Sequence, residues 1–482
     1  MPLVLGVDSS TQSTKVEIRD AESGRLFGFG AGSHPPTNPP RSEQDPTAWW
    51  NALGQAIRAA GRDAKLSEVR AISVAAQQQG MVVVDAAGRS IRPAKLWNDT
   101  ESAADTAAMV ARLGPERWAL ACGSVPTASF IAGKLAWMRR LEPDAFARIA
   151  RVLLPHDWLT LQLSGEFVTD RGDASGTAYW SPAEGRYRFD LLAEVDPTRN
   201  WEALLPTVLG PIDAAGKLTT DAADQLGLPS NVVVGPGTGD NMAGALGVAL
   251  GEDSVAVSLG TSGTVYAVSA RPTADRSGAV AGFADAAGEF LPLVCTLNAT
   301  KVTDTFARVL NLDRDAFDRA ALDAPAGAAG VVLVPYLDGE RTPNLPESRG
   351  AVFGIRTSVS GPVLARAAFE GVVCGLLDGI EALDRAGVRM RERLIVLLGG
   401  GSRSAAYRRI MADLSGRQVI VPEAEQHVAA GACVQATAVL MARSPRDIAK
   451  QWNRGRGSII DPDLTVDAAA VRAAYSAAAA KV

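Results

Sequence analysis

The stretch GVDSSTQSTKVEI, residues 6–18, joins two apolar runs through a turn built almost wholly from hydroxyl and amide side chains. Asp8 stands where the first apolar run stops. The stretch VAVSLGTSGTVYAV repeats this arrangement in the second half of the chain, with four turn positions matched at one constant offset: Ser10, Thr11, Ser13 and Thr14 with Gly260, Thr261, Gly263 and Thr264. A single polar turn between strands usually does no more than connect them. The recurrence of the turn therefore indicates two copies of one structural unit.

A chain of 482 residues exceeds what one hydrophobic core usually serves, so we expect two domains of comparable size. The sequence is 47% hydrophobic and 21% charged with a net charge of -5, which is typical of a soluble globular protein and does not attract nucleic acid or an anionic membrane. No apolar run is long enough to span a bilayer, and the N-terminus begins directly with a strand pattern. These features predict a cytoplasmic protein that binds small molecules and neither nucleic acid nor membrane.

The few thiol and imidazole side chains disfavour both a disulfide framework and a metal centre built on histidine. Four cysteines lie far apart without C-x-x-C spacing, and we expect buried free thiols at Cys122, Cys295, Cys374 and Cys433. The three histidines also lack metal-ligand spacing, which favours structural roles for His34, His156 and His427. Chemistry must therefore come from carboxylates, hydroxyls and backbone amides.

Strand and helix patterns alternate along both halves of the chain. Asp45 and Pro46 give a helix cap and a first helical position, residues 69–76 have the pattern of a buried strand, and residues 365–383 have that of a long helix. Both halves are therefore predicted to be α/β. No low-complexity linker separates them, so we expect the two domains to face one another across a cleft.

A turn rich in glycine and small hydroxyl side chains can aim several donors at one point, which makes it an anion site. Two such turns could hold a polyphosphate between them. A P-loop is excluded, because the pairs Gly133-Lys134 and Gly216-Lys217 are both followed by leucine. The glycines of GPGTGD have the wrong spacing for a dinucleotide fingerprint, and the next strand pattern ends without an acidic residue for a ribose. This weakens the alternative of a nicotinamide oxidoreductase.

A series of short motifs gives the chain a resemblance to the FGGY family of carbohydrate kinases, within the actin and hexokinase-like phosphotransferases. They come in the family's order over nearly the whole length: VDSSTQSTK, SEQDPTAWW, LWND, KLAW, LLPHDWL, SGEF with DASGT, GTGDNMAGALG, LGTSGT, PYLDGERTP and GGGSRS. Each motif alone is weak, and together they are specific. Within the family the chain resembles most the kinases that act on D-xylulose.

The resemblance implies an α/β fold of two actin/hexokinase-like (ribonuclease H-like) domains that face a central cleft. The N-terminal domain would cover residues 1–245 with the sugar site and the first phosphate hairpin, and the C-terminal domain residues 246–482 with the second hairpin and the adenosine site. The implied activity is ATP-dependent phosphorylation of a ketopentose, D-xylulose to D-xylulose 5-phosphate, with Mg²⁺. D-ribulose or a pentitol stays open as the substrate, and a homodimer stays open as the assembly.

The resemblance also implies roles for residues at matching positions. Asp240 of the GDN motif would be the general base, and Asp8 would lie near the magnesium ion and contact it through water. Sugar contacts are implied for Gln78, Gln79, Asp240 and Asn241. Contacts to ATP are implied for Thr11, Gln12, Lys15, Thr261 and Ser262 at the phosphates, and for Gly399, Gly400, Gly401 and Ser404 beside the adenosine.

Physical chemistry supports the two carboxylates independently of the family. Phosphoryl transfer needs a group that accepts the proton of the attacking hydroxyl, and Asp240 follows a glycine-rich turn at the start of a predicted helix. The plain alternative is that Asp240 is the N-cap of that helix. Asp8 beside a phosphate-type turn suits a magnesium site, although it could also simply end a strand.

Three positions depart from the family pattern. Such kinases commonly carry histidine where this chain has Gln79, and glutamine offers a donor and an acceptor but no charge. Ile131 replaces a small hydroxyl residue or proline, and Glu101 replaces an arginine. The departure at Gln79 leaves the sugar open. A nucleotide-binding chaperone or scaffold on the same fold is the remaining alternative, and in such a protein Asp240 would be idle.

Overall fold

The computed structural model describes residues 2–390, 392–423 and 426–482. The chain forms two compact units. Unit 1 comprises Met1–Ala249, Ala270–Leu291 and Gln426–Gly455, and unit 2 comprises Leu250–Ser269, Pro292–Glu425 and Arg456–Val482. Both units combine sheets with helices, so the prediction of a two-domain α/β protein is confirmed. A single division between residues 245 and 246 does not describe the two later segments that pack with unit 1.

Unit 1 is built on a mixed sheet. Its strand order is Gly216–Lys217, Val233–Val234, Val69–Ala76, Leu3–Ser9, Ser13–Asp20 and Leu26–Ser33, and Thr238–Gly239 pairs with the end of Val69–Ala76. The central pair, Leu3–Ser9 and Val69–Ala76, is parallel, whereas Leu3–Ser9 and Ser13–Asp20 form an antiparallel hairpin. Both central strands are buried almost throughout, as expected for strands covered by helices on both faces.

Helices and short strands complete unit 1. The α-helices are Pro46–Ala60, Ala103–Leu113, Pro115–Cys122, Ile131–Leu141, Pro143–Ala147, Pro155–Ser164, Arg171–Ala174, Phe189–Leu192, Thr220–Leu226, Asp240–Gly247, His427–Met441 and Pro445–Gln451. The 3₁₀ turns are Leu66–Glu68, Ser175–Thr177 and Glu202–Leu204. The remaining strands are Glu43–Gln44, Val82–Val84, Ala94–Lys95, Arg151–Leu153, Val168–Asp170, Trp180–Ser181, Arg186–Tyr187, Thr207–Leu209 and Ala281–Ala284.

The helix His427–Met441 explains why a late segment belongs to unit 1. It packs directly on the first strand, where a Cβ at Gly6 would stand 2.1 Å from the carbonyl oxygen of Ala429. On the second central strand, Ser73 Oγ donates to Gln435 Oε1 at 2.6 Å. Only glycine allows the helix to approach Gly6 so closely. No local sequence pattern around residue 6 indicates which helix makes this contact.

Unit 2 contains a second sheet with the same central arrangement. Its order is Phe290–Thr296, Gly263–Tyr266, Ser254–Leu259, Leu394–Leu398, Val419–Pro422 and Gly457–Ile460. A smaller pair joins Val332–Val334 to Ala351–Phe353. The helices are Thr300–Val309, Arg314–Asp323, Gly361–Arg385, Ala405–Ser415 and Ala468–Ala479, with 3₁₀ turns at Ala328–Gly330 and Gly400–Arg403. Within the described parts of the chain, no helix combines the length and apolar character needed to cross a bilayer.

Several local predictions are confirmed. Asp45 caps the helix Pro46–Ala60 by accepting from the Thr47 amide at 2.9 Å, and the predicted strand at 69–76 has those bounds. All four cysteines are free, and three are buried, while Cys295 is partly exposed.

Candidate active site

Three segments end at one edge of the unit 1 sheet. Leu3–Ser9 and Val69–Ala76 run parallel, so turn 1 (residues 10–13) and the glutamine loop (residues 77–80) leave from neighbouring carboxyl ends. Thr238–Gly239 pairs with Ala75 and Ala76, which carries the next residue, Asp240, to the same edge. Asp8, Asp240, Gln78 and Asn241 are therefore brought together within unit 1, as predicted from the motifs.

Asp240 is the first residue of the helix Asp240–Gly247, and its neighbour Gly239 occupies the N-cap position without a side-chain cap. The interpretation of Asp240 as the helix N-cap is therefore wrong. Burial, followed by the nearby charge of Asp8, raises the pKa of Asp240 to about 7. A carboxyl group with a pKa near neutrality can accept a proton at physiological pH far better than an ordinary aspartate.

Asn241 links the candidate base to the glutamine loop. Its Nδ2 donates to Gln78 Oε1 at 2.8 Å and to Asp240 Oδ1 at 3.0 Å. Gln78 also packs tightly on Gly239, where a Cβ would stand 2.5 Å from Gln78 Cγ. The three side chains form one hydrogen-bonded chain, which fixes the orientation of the Gln78 amide relative to the Asp240 carboxylate.

The glutamine loop presents buried amide donors. Gln77, Gln78 and Gln79 are only 1%, 7% and 6% exposed. Among the residues that the structure describes, none supplies a hydrogen-bond partner to the Nε2 atom of any of the three. Buried amide groups are normally satisfied, so these atoms are poised to donate to a ligand. Gln77 was not among the residues predicted from the sequence, although it stands beside two that were.

Asp8 is the next-to-last residue of the first strand, Leu3–Ser9, and is 4% exposed. Ser10 Oγ donates to its Oδ1, and Lys15 Nζ lies 3.9 Å from its Oδ2. Burial raises the pKa of Asp8 against the opposing effects of Lys15 and Ser10. A cation beside this carboxyl group would favour its ionised form. Mg²⁺ prefers oxygen ligands and is commonly held by one or two carboxylates with phosphate oxygens and water, so the donors present fit that ion.

Turn 1 is tied to the glutamine loop through Thr11. Its hydroxyl accepts from Trp97 Nε1 at 3.0 Å and donates to Gln77 Oε1 at 3.2 Å. Gln44 Nε2 donates to the Thr11 carbonyl oxygen at 3.0 Å. The predicted contact of Thr11 with ATP stays a prediction, and its hydroxyl has internal partners. Trp97 and Gln44 were missed because they are distant in sequence from the turn.

Gln12 and Lys15, the other predicted phosphate contacts in unit 1, are more accessible. Gln12 is exposed, and its carbonyl oxygen accepts from the His34 amide at 2.9 Å. The Lys15 side chain is 35% exposed. His34 also supports the turn through its ring, with Nε2 at 2.8 Å from Thr14 Oγ1. The histidine therefore has a structural role, as predicted.

Turn 2 (residues 260–262) occupies the corresponding place in unit 2. The Thr300 amide donates to the Gly260 carbonyl oxygen at 3.0 Å, and the Ala299 amide donates to that of Thr261 at 3.2 Å. Thr261 is exposed and Ser262 partly exposed. The backbone of the turn is thus anchored, while the side chains of Thr261 and Ser262 remain accessible to a ligand.

The glycine turn (residues 399–401) follows the strand Leu394–Leu398, which runs parallel to Ser254–Leu259. Gly399 has φ 79°, and a Cβ there would stand 2.6 Å from the Leu259 carbonyl oxygen. Glycine is therefore required at this point by both conformation and space. The described atoms leave open space around a Cβ at Gly400. The backbone is exposed here beside turn 2, and its contact with the adenosine stays a prediction.

Ser404 has a defined structural role. It caps the helix Ala405–Ser415 by accepting from the Tyr407 amide at 3.1 Å, and its hydroxyl donates to Asp318 Oδ1 at 2.8 Å. Its contact with adenosine stays a prediction.

The described structure contains two clusters of charged side chains that were not predicted from the sequence. Glu43, Asp99 and Glu101 form the one trio of potential metal ligands among the described residues, but they surround the ammonium group of Lys95. Lys95 pairs with all three carboxylates and Arg92 pairs with Glu43 as well, so the cluster already holds two cations.

The second cluster surrounds His156, whose Nε2 lies 3.1 Å from Asp157, 3.4 Å from Asp170 and 3.5 Å from Asp173. Burial lowers the pKa of His156, but the three carboxylates outweigh it and raise the pKa to about 9. The motif LLPHDWL places Asp157 beside His156, but it gave no signal of the two more distant partners, Asp170 and Asp173.

Comparison with known proteins agrees with this geometry. Residues 3–247 match the N-terminal domain of the FGGY family of carbohydrate kinases, and residues 255–440 match its C-terminal domain. A xylulose kinase from Streptomyces coelicolor is 44% identical over 465 residues, which cover 95% of this chain and 92% of the relative. One from Streptomyces rubiginosus is 43% identical over 463 residues, with the same two coverages.

A solved structure extends the similarity to the fold. The xylulose kinase from Bifidobacterium adolescentis has a TM-score of 0.86 and 38% identity, and the match covers 99% of both chains. The sequence match, the paired domains and the shared fold lead to one conclusion: this chain belongs to the FGGY family of carbohydrate kinases.

Proposed function

We propose that this chain transfers the γ-phosphoryl group of ATP to the terminal hydroxyl of D-xylulose, which gives D-xylulose 5-phosphate and ADP. Family membership supports the reaction class, and the relatives named xylulose kinase, 43% and 44% identical over 95% of the chain, support the sugar. D-ribulose and the pentitols are the nearest alternative substrates. A cytoplasmic location and a homodimer remain predictions.

The observation that carries the proposed mechanism is the hydrogen-bonded chain Asp240–Asn241–Gln78. In the reaction, the Asp240 carboxylate accepts the proton of the attacking sugar hydroxyl while that oxygen bonds to the γ-phosphorus and ADP departs. Its pKa of about 7 matches this task. Asn241 holds the Asp240 carboxylate and the Gln78 side-chain amide in one relative orientation. The contacts of Gln78 with the sugar therefore decide which sugar hydroxyl meets the base.

The glutamine loop would recognise the sugar hydroxyls. The Nε2 groups of Gln78 and Gln79 are donors without partners in the described structure, and a ketose supplies several oxygen acceptors. A sugar with a misplaced hydroxyl would leave such a buried group unpaired, which strongly disfavours its binding. We therefore expect sharp discrimination between epimers even though Gln79 carries no charge.

The phosphate and nucleotide contacts are proposed for each unit separately. In unit 1, Asp8 would hold Mg²⁺ through water, and Gln12 and Lys15 would contact phosphate oxygens. The ion supplies positive charge that stabilises the phosphates during transfer. In unit 2, Thr261 and Ser262 would donate to phosphates, and the glycine turn with Ser404 would lie beside the adenosine.

A sugar panel tests the proposed substrate. Purified protein is given Mg-ATP with D-xylulose, D-ribulose, xylitol or ribitol, and ADP release is coupled to a spectrophotometric readout. We expect the highest kcat/KM with D-xylulose. A higher value with D-ribulose or a pentitol would replace the substrate, and an absence of ADP release with every sugar would contradict the kinase assignment itself.

A further inference from the structure

Gln79 has an unusual backbone conformation for a residue with a side chain. Its φ is 60°, in the left-handed region that glycine favours. Glycine adopts this conformation most readily, yet position 79 carries a glutamine and the glycine stands one residue later, at Gly80. A residue in this conformation persists when its surroundings hold it there. The groups that hold the Gln79 backbone therefore determine where its side-chain amide points.

The side chains of Lys134 and Asp173 hold the two polar backbone groups of Gln79. Lys134 Nζ donates to the Gln79 backbone carbonyl oxygen, and the Gln79 backbone N–H donates to Asp173 Oδ1 at 3.4 Å. Lys134 comes from the helix Ile131–Leu141 and Asp173 from the helix Arg171–Ala174. One peptide segment is thus fixed from two separate helices.

A third contact limits the side chain. Gly176 packs against it so closely that a Cβ there would stand 2.9 Å from Gln79 Cγ and 3.7 Å from its Cδ. The Nε2 atom beyond them is buried and has no partner within the described structure. Backbone and side chain are therefore both constrained, and the donor is kept available.

Lys134 is a costly residue for a purely structural bond. It is completely buried, and burial together with the charge of Lys95 lowers its pKa to about 7 against the opposing effects of Asp99 and Asp173. Lysine is rarely buried so fully unless it is paired or has a functional task. Its hydrogen bond goes to the one loop residue whose conformation is strained.

We propose that Lys134 is a positioning residue for sugar recognition. It holds the Gln79 carbonyl oxygen so that the side-chain Nε2 of Gln79 meets a sugar hydroxyl. Lys134 itself does not contact the sugar. This inference rests on the proposed sugar site and adds a residue on which selectivity depends.

A double-mutant cycle tests whether Lys134 acts through Gln79. Lys134→Met removes the donor at similar length, and we expect it to raise the KM for D-xylulose about tenfold, the effect of losing one hydrogen bond. The change in kcat should be smaller, and the KM for ATP should not change. In a Gln79→Ala background, Lys134→Met should raise the sugar KM no further, because the side-chain amide that Lys134 positions is then absent.

Arg366→Met is the control, since Arg366 is also a buried cation but bonds to Glu370 within unit 2. Any effect of Arg366→Met should be the same in both backgrounds. An equal rise in sugar KM for Lys134→Met with and without Gln79 would overturn the proposal.

Gly176→Ala gives a second cycle that leaves the buried charges intact and tests the step through which Lys134 is proposed to act, the dependence of the sugar KM on the position of the Gln79 side chain. The new methyl group should displace Gln79 and raise the sugar KM, and Gln79→Ala should cancel this effect. Additive effects would again contradict the proposal. If the wild-type protein prefers another sugar, both cycles are measured with that sugar, so the loss of the D-xylulose assignment is distinguished from the loss of the positioning role.

Discussion

The two copies of the strand–turn–strand unit differ at the next-to-last residue of the first strand. In unit 1 this residue is Asp8, which pairs with Lys15 across the hairpin and with Ala75 on the parallel strand. In unit 2 it is Ser258, which pairs with Thr264 and Leu398 in the same way. One scaffold thus presents a carboxylate in one copy and a neutral hydroxyl in the other.

The loops after the parallel strands differ in a related way. Unit 1 has the glutamine loop with its buried amide donors, and unit 2 has the glycine turn with open backbone. The shared strands place these residues at corresponding positions, and the residues near the strand ends differ in the chemistry that they offer a ligand. Under the proposed function, unit 1 would bind the sugar hydroxyls and accept the proton, and unit 2 would bind the nucleoside.

The largest effect is expected at the base that unit 1 alone supplies. Asp240→Asn keeps the side-chain volume and an acceptor for the Asn241 amide, but it removes the basic carboxylate. We expect kcat to fall by about 10²–10⁴, the usual contribution of a general base. Steady-state kinetics measure this, with the unfolding midpoint as the control for folding. Near-normal kcat in a folded variant would mean that unit 1 does not carry the proton-transfer chemistry.

The next comparison is between the two strand ends. Asp8→Asn should reduce kcat about 10²-fold, since it removes a charge that acts on the transferring phosphoryl group and its ion. Ser258→Ala, at the matching position of unit 2, should change kcat less than about threefold, as expected for a neutral hydroxyl away from the reaction. Equal losses in the two variants would erase the proposed difference between the copies.

Adjacent glycines in unit 2 separate folding from nucleotide binding. Gly399→Ala should destabilise the protein by about 1–2 kcal/mol, because alanine is strained in the left-handed region and its Cβ would meet the Leu259 carbonyl oxygen. Gly400→Ala meets open space among the described atoms, so its unfolding midpoint should not change. If the turn lies beside the adenosine, Gly400→Ala raises the KM for ATP. Unchanged ATP kinetics would move the nucleoside elsewhere.

The two turn threonines should respond differently. Thr11→Val removes a hydroxyl bonded to Trp97 and Gln77, and should lower stability by about 1 kcal/mol. Thr261→Val should leave stability unchanged because Thr261 is exposed, but should raise the KM for ATP several-fold. Urea unfolding and ATP kinetics on both variants measure this. A stability loss at Thr261 without any effect on ATP would assign turn 2 a purely structural role.

Much of this arrangement was predictable because its signals are local. The repeated turn, the strand at 69–76 and the start of a helix at Asp240 all followed from short patterns. The constant offset was only partly informative, since Ser9 pairs with Thr14 whereas Leu259 pairs with Gly263, so turn 2 closes one residue earlier.

Contacts between distant residues were not predictable. The sequence does not indicate that Trp97 bonds to Thr11, that Lys134 bonds to Gln79, or that three aspartates surround His156. Each contact depends on tertiary packing that brings separate elements together, and no spacing rule encodes it. The same reason explains why the return of His427–Met441 to unit 1 was missed.

The pH dependence of kcat/KM for the sugar tests most directly whether Asp240 is the base. Because the base acts as a carboxylate, activity should be full above its pKa of about 7 and should fall about tenfold for each pH unit below it. The residual activity of Asp240→Asn serves as the reference, since any titration of Mg-ATP persists there. The account predicts that the acidic limb disappears in Asp240→Asn, and an unchanged limb in that variant would contradict it.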